Sequence, residues 1–163
     1  MTLLEQLLPE AQAYLFHGFV VFLRVAAMAA LLPAFGEQNV PARIKIIVAL
    51  AFTLIVAPAL PESHFEGAAG NLPLLVLTEV IAGLALGLGI RLFVLALQTA
   101  GSIAAQSTSL SQVLGGAAVD PLPAMGYILI VAGLALAVMN GLHVKAAQLI
   151  ILSYDVLPLG RFP

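Results

Sequence analysis

The chain has 163 residues, 62% of them hydrophobic and 9% charged, with a formal net charge of −2 and a mean hydropathy of +1.12. Soluble domains run at about 45–50% apolar and about 25% charged, so this composition excludes an ordinary soluble globule, and lipid or partner proteins must cover much of its surface. The absence of a basic tract argues against nucleic acid as a partner, and the absence of cysteine removes disulfides, thiolate metal sites and cysteine nucleophiles together.

The first apolar stretch covers about residues 11–35, with His17 and Arg24 inside it. It exceeds the roughly 20 residues a spanning helix needs. Glu5 and Glu10 precede it and no Lys or Arg forms a positive leader, so it reads as a retained first helix rather than a cleavable signal. Pro33 and Gly36 mark its exit. In the connection that follows, Asn39 is a candidate cap and Pro41 suits a first helical turn, where its missing N–H costs nothing. The second stretch, about residues 44–60, closes at Pro58 and Pro61 and is short for a full span. An acidic loop over residues 62–67 leads to Asn71 and Pro73, which open a third helix expected to run to about Gln98.

From residue 98 to 123 small and polar residues replace Leu and Val, and Gly115-Gly116 and Asp120-Pro121 break any helix. Apolar residues return over 125–142, end at Asn140-Gly141, and resume over 146–157 with Asp155 among them. Arg43 and Lys45 in the first connection place residues 36–45 in the cytoplasm by the positive-inside rule. The fold class is all-α: a polytopic membrane protein of packed apolar helices and helical hairpins, treated as one membrane-embedded domain over 1–163.

Charges within apolar helices are the first candidates for function, because each costs about 2.5–3.5 kcal/mol at a helix centre. They are Arg24, Glu79 and Arg91. Arg24 either snorkels to the interface or pairs with a polar group on a neighbouring helix. Glu79 and Arg91 lie about 120° apart around a helix and about 18 Å along it, so they do not pair with each other. Gly83 and Gly87, with the offset Ala85 and Gly89, form small-xxx-small patterns that suit close helix contact. Gly101 and Ser102 are further packing candidates. Gln98, Ser102, Ala105, Ser109 and Gln112 recur at spacings of four and three, with Gln106 on the same side. That face is either an interfacial amphiphile or packs in a channel wall or between subunits. His17, His64 and His143 lack ligand spacing, no catalytic constellation is visible, and neither metal nor cofactor is implied.

Several stretches, taken in order, resemble the export-gate family that includes flagellar FliR and its counterpart in virulence-associated type III secretion. They are Phe22-Leu23-Arg24-Val25, Leu32-Pro33-Ala34-Phe35-Gly36, Val40-Pro41-Ala42-Arg43-Ile44-Lys45, Ala57-Pro58-Ala59-Leu60-Pro61, the run GLALGLGIRL over 83–92, Gln98-Thr99-Ala100-Gly101, Asp120-Pro121, Asn140-Gly141 and Leu157-Pro158-Leu159-Gly160. The matches are collinear over essentially the whole chain. Two departures stand out: Ala104-Ala105-Gln106 replaces a common Gly-Leu-Gln, and the family continues with further apolar helices beyond the last motif.

The resemblance implies a structural, pore-forming subunit of the bacterial type III protein export gate. It would be a multi-pass protein of the inner membrane, at the basal body where the parent system is flagellar, and not an enzyme. The implied partners are FliP-like and FliQ-like membrane subunits, other export-apparatus components, unfolded export substrates and the lipid bilayer. It also implies a plug-like loop over about residues 106–121, making Gln106, Ser109, Gln112, Gly115, Gly116 and Asp120 plug or pore-lining candidates. The competing readings are a small-solute transporter or channel subunit using Glu79 or Arg91, for which no internal repeat is visible, and an intramembrane enzyme, which lacks a catalytic set.

Overall fold

The computed structural model describes residues 3–33, 40–61, 65, 71–108 and 124–160. They form five α-helices: α1 (Leu3–Leu31), α2 (Ala42–Val56), α3 (Leu72–Thr108), α4 (Ala124–Met139) and α5 (Leu142–Val156), with a 3-10 turn at Ala57–Ala59 continuing α2. Among the described residues there is no strand. The fold is that of an all-α polytopic membrane protein. Leu7–Leu31, Ala42–Ala59 and Leu72–Ala104 are each long and apolar enough to cross a bilayer, and Gly126–Met139 with Leu142–Val156 makes a fourth stretch, broken in the middle. Outward-facing Leu15, Leu54 and Met139, 74%, 76% and 83% exposed, are the side chains such a chain turns to lipid or to a partner.

Local chemistry sets the helix ends. α1 stops two residues before Pro33, whose ring disfavours helical backbone in the residue before it. α2 starts one residue after Pro41, which is extended (φ −55°, ψ 141°) and whose carbonyl accepts from the amides of Ile44 and Lys45 at 3.0 and 3.4 Å. Proline is therefore the N-cap and not, as expected, a residue of the first turn. Its fixed φ suits that position, and no side chain caps the helix. Asn39 lies outside the described residues. The second stretch, expected to be short, reaches 18 residues because the 3-10 turn adds Pro58 and its neighbours to α2.

α3 runs ten residues beyond the expected Gln98, through Thr108. At about 1.5 Å per residue its 37 residues exceed a hydrocarbon core of about 30 Å. The small-polar composition of its last part does not end it, because the hydroxyls are spent inside the helix. Thr99 Oγ1 donates to the Leu95 carbonyl at 2.9 Å and Ser102 Oγ to that of Thr99 at 2.8 Å. Between α4 and α5, Asn140 and Gly141 make the expected break, with Gly141 at φ +74°, a conformation that only glycine adopts without strain.

The chain separates into two compact units, Met1–Leu88 with Val144–Pro163, and Gly89–His143. In the first, each helix buries one stripe at helical spacing. α1 contributes Val20, Val21, Arg24, Val25, Met28 and Ala29; α3 contributes Leu75, Thr78, Glu79 and Ala82; α5 contributes Ala146, Ile150, Ser153 and Tyr154; α2 adds Ala49, Thr53 and Val56. Thr53 and Thr78 bond to carbonyls one turn back, so neither brings an unsatisfied hydroxyl into the core. In the second unit Gly101 and Gly126 are buried, and Gly133 of α4 lies against the Leu97 side chain of α3.

Candidate functional site: a buried ionic clasp

The first unit is built around two of the three charges that the sequence places within apolar helices. Arg24 is 1% exposed and Glu79 is fully buried. They meet in a two-point contact: Arg24 Nε donates to Glu79 Oε2 at 2.8 Å and Nη2 donates to Oε1 at 3.0 Å. This is the fork-on-carboxylate geometry that guanidinium supplies and an ammonium cannot. Arg24 faces the core because it falls on the α1 stripe, four residues after Val20 and four before Met28. Glu79 faces it because it lies four residues after Leu75. Each charge neutralises the other where either alone would be costly in lipid.

The remaining guanidinium donors turn to α5. Nη1 donates to Ser153 Oγ at 2.9 Å and Nη2 to the Leu157 carbonyl, also at 2.9 Å, while Ser153 Oγ donates onward to the Ile150 carbonyl at 2.6 Å. With the two bonds to Glu79, four of the five guanidinium N–H groups have partners. Leu157 directly follows the last residue of α5, so the cation sits where the helix dipole is negative. The guanidinium carbon also lies 3.8 Å from the centre of the Tyr154 ring, within cation–π distance. Tyr154 is followed outward by Phe65, at 6.3 Å between ring centres, and Phe65 stacks on His17 at 3.8 Å. One arginine of α1 thus engages α3 and α5 together.

The backbones of α1 and α3 meet just beyond the ion pair. A Cβ placed on Gly83 would run into the Arg24 carbonyl oxygen and come within 2.8 Å of the Ala27 Cβ; one placed on Gly87 would lie 2.7 Å from the Met28 carbonyl oxygen and 2.9 Å from the Leu31 Cβ. Only hydrogen fits at these positions. Gly83 and Gly87 are therefore the points where the two helices touch backbone to backbone, one and two turns along from Glu79 on its own face. Gly89 meets nothing within 4 Å and Ala85 is exposed, so the offset pair makes no such contact among the described residues.

The other residues singled out from the sequence lie apart from the clasp. Arg91 is exposed on the part of α3 that belongs to the second unit. There Gly101 is buried and Ser102 is half-buried, bonded within its own helix. Gln106 falls within the helical span of α3, while Ser109, Gln112, Gly115, Gly116 and Asp120 lie outside the described residues, as does His64. His143 is exposed at the start of α5. Among the described residues no group of three His, Cys, Asp or Glu side chains converges as metal ligands do.

Sequence reasoning did not find Ser153, Tyr154 or the Leu157 carbonyl. A serine and a tyrosine within an apolar helix, one turn before Leu157-Pro158, were the available signal.

The profile of the bacterial export proteins, family 1, matches residues 15–163, a span that contains every residue of the clasp. The chain belongs to that family. Among curated members of similar sequence, the flagellar biosynthetic protein FliR of Caulobacter vibrioides is 35% identical over 146 residues, 87% of this chain and 58% of the relative. The flagellar biosynthetic protein FliR of Escherichia coli K12 is 28% identical over 150 residues, 89% of this chain and 56% of the relative. The chain therefore spans somewhat more than half the length of these two family 1 members.

Proposed function

We propose that this protein is a structural subunit of a bacterial type III export apparatus, seated in the inner membrane, that helps to form and seal the conduit for unfolded export substrates. The observation that carries this reading is the family match over residues 15–163. The flagellar rather than virulence-associated assignment rests on both relatives being flagellar biosynthetic proteins. The helical, lipid-compatible fold supports it, as does a clasp whose charges neutralise each other instead of facing a solute path. A small-solute transporter using Glu79 would need a carboxylate whose charge is free to meet the solute, and Arg24 pairs with it through both oxygens. The proposed role is assembly and containment, not chemical catalysis.

The partners would be FliP-like and FliQ-like membrane subunits together with other components of the apparatus. The full-length protein, tagged at its own locus and extracted in mild detergent, is expected to co-purify with both kinds of subunit. Recovery of the tagged protein alone, under conditions in which those two subunits still hold to each other, would count against the assignment.

Sealing would belong to the segment over about residues 106–121, rich in glycine and small polar residues, with Gly115 and Gly116 inside it and Asp120 near its end. Deleting residues 113–118 in the complete assembly is expected to leave complex formation largely intact and to make the inner membrane leaky to small solutes or ions. A normally assembled complex with unchanged leakage would make the segment a plain connection between helices.

A further inference from the structure

We infer that the Arg24 clasp is two joints of unequal character: a permanent one that locks α1 to α3, and a releasable one that holds the end of α5. The inference stands on the geometry of the first unit and does not rest on the proposed export role. The α1–α3 joint contains the whole ion pair, with both Glu79 oxygens on the guanidinium, and next to it the backbone contacts at Gly83 and Gly87. Parting these helices would leave a buried charge of each sign uncompensated.

The α5 joint brings no second charge to Arg24. Its contacts with Arg24 are the Ser153 hydroxyl, the Leu157 carbonyl and the face of Tyr154, all neutral. If α5 leaves, Arg24 remains neutralised by Glu79, and Ser153 Oγ keeps its bond to the Ile150 carbonyl within its own helix. Among the described residues the buried Tyr154 hydroxyl has no hydrogen-bond partner that it would lose on departure. Packing points the same way. Val25, Met28, Ala29 and Leu32 of α1, Val48 and Phe52 of α2, and Ala146 and Ile150 of α5 line a small, partly open apolar pocket, whereas the α1–α3 seam closes to backbone contact. The ion pair and the backbone contacts thus stay with α1–α3, and α5 can disengage without separating Arg24 from Glu79.

The absence of cysteine from this sequence simplifies site-directed spin labelling. Labels on exposed Ala30 and Leu77 report α1 against α3, and labels on Ala30 and Leu152 report α1 against α5. Electron–electron distance distributions would be measured in the membrane-embedded full-length protein, any cysteine beyond this sequence being replaced. In the Ser153→Ala/Tyr154→Leu background the α1–α5 distribution is expected to broaden at least twofold while the α1–α3 distribution keeps its wild-type width. The charge exchange Arg24→Glu/Glu79→Arg should give the same split, because it restores an ion pair but points a carboxylate at the Leu157 carbonyl. Broadening of both distributions together in the first background, or of neither, would overturn the inference. So would failure of that variant to accumulate in the membrane, since the α1–α3 joint is inferred to persist without α5.

Discussion

Replacing Arg24 with alanine is expected to cost about 3–5 kcal/mol, among the largest effects of any single substitution in this chain, because it leaves the fully buried Glu79 carboxylate with no counter-charge. Glu79→Ala should cost a similar amount for the opposite reason, stranding a guanidinium. Removing both charges is predicted to behave differently. The double replacement Arg24→Leu/Glu79→Leu puts apolar groups of comparable reach into an apolar site, and such exchanges are often neutral or stabilising. Recovery should nevertheless be incomplete, since the half-buried Leu157 carbonyl loses its hydrogen bond from Arg24, a loss of about 1 kcal/mol. Thermal unfolding of the detergent-solubilised protein, together with the amount recovered from membranes, ranks the four species. An Arg24→Ala protein as stable as the parent would mean that Arg24 snorkels to the interface in the membrane and that the clasp does not form there.

The contrast between what the sequence disclosed and what it withheld follows from the range of each physical signal. Apolar run length and proline position are local properties, and they located the helices and most of their ends, including the exit before Pro33 and the break at Asn140-Gly141, although α1 begins at Leu3 and takes in Glu5 and Glu10, which were expected to precede it. The end of α3 was misplaced because glycine, serine, threonine and glutamine read as helix-weakening, whereas Thr99 and Ser102 satisfy their hydroxyls on carbonyls of the same helix. Arg24 and Glu79 stood out as charges in apolar surroundings, but pairing them needs the relative placement of helices 55 residues apart, which no periodicity encodes. Opposite charge alone made them candidates for each other. Along α3 itself the opposite charges are Glu79 and Arg91, and there helix geometry forbids contact. The Leu157 carbonyl had no signature at all, because every residue carries one. The segment over residues 109–123 remains a reading of composition and resemblance.

Gly83 and Gly89 look interchangeable in the sequence, two glycines six residues apart on one apolar helix, and they are predicted to respond to the same substitution with opposite signs. At Gly89 an added methyl group meets open space. Alanine there should be neutral or raise stability by up to about 1 kcal/mol through its better helix propensity. At Gly83 the same methyl group collides with the Arg24 carbonyl oxygen, which is backbone and cannot swing aside. The helices must move apart, and overpacking of this kind costs about 1–3 kcal/mol. The displacement also acts on the ion pair, because the obstructed carbonyl and the guanidinium belong to the same residue. Gly83→Ala and Glu79→Gln should therefore be strongly non-additive, the second change costing less once the first has loosened the contact. Unfolding midpoints of the two single variants and the double variant in one detergent provide the cycle. Equal responses at Gly83 and Gly89, or strict additivity of Gly83→Ala with Glu79→Gln, would show that α1 and α3 do not meet at Gly83.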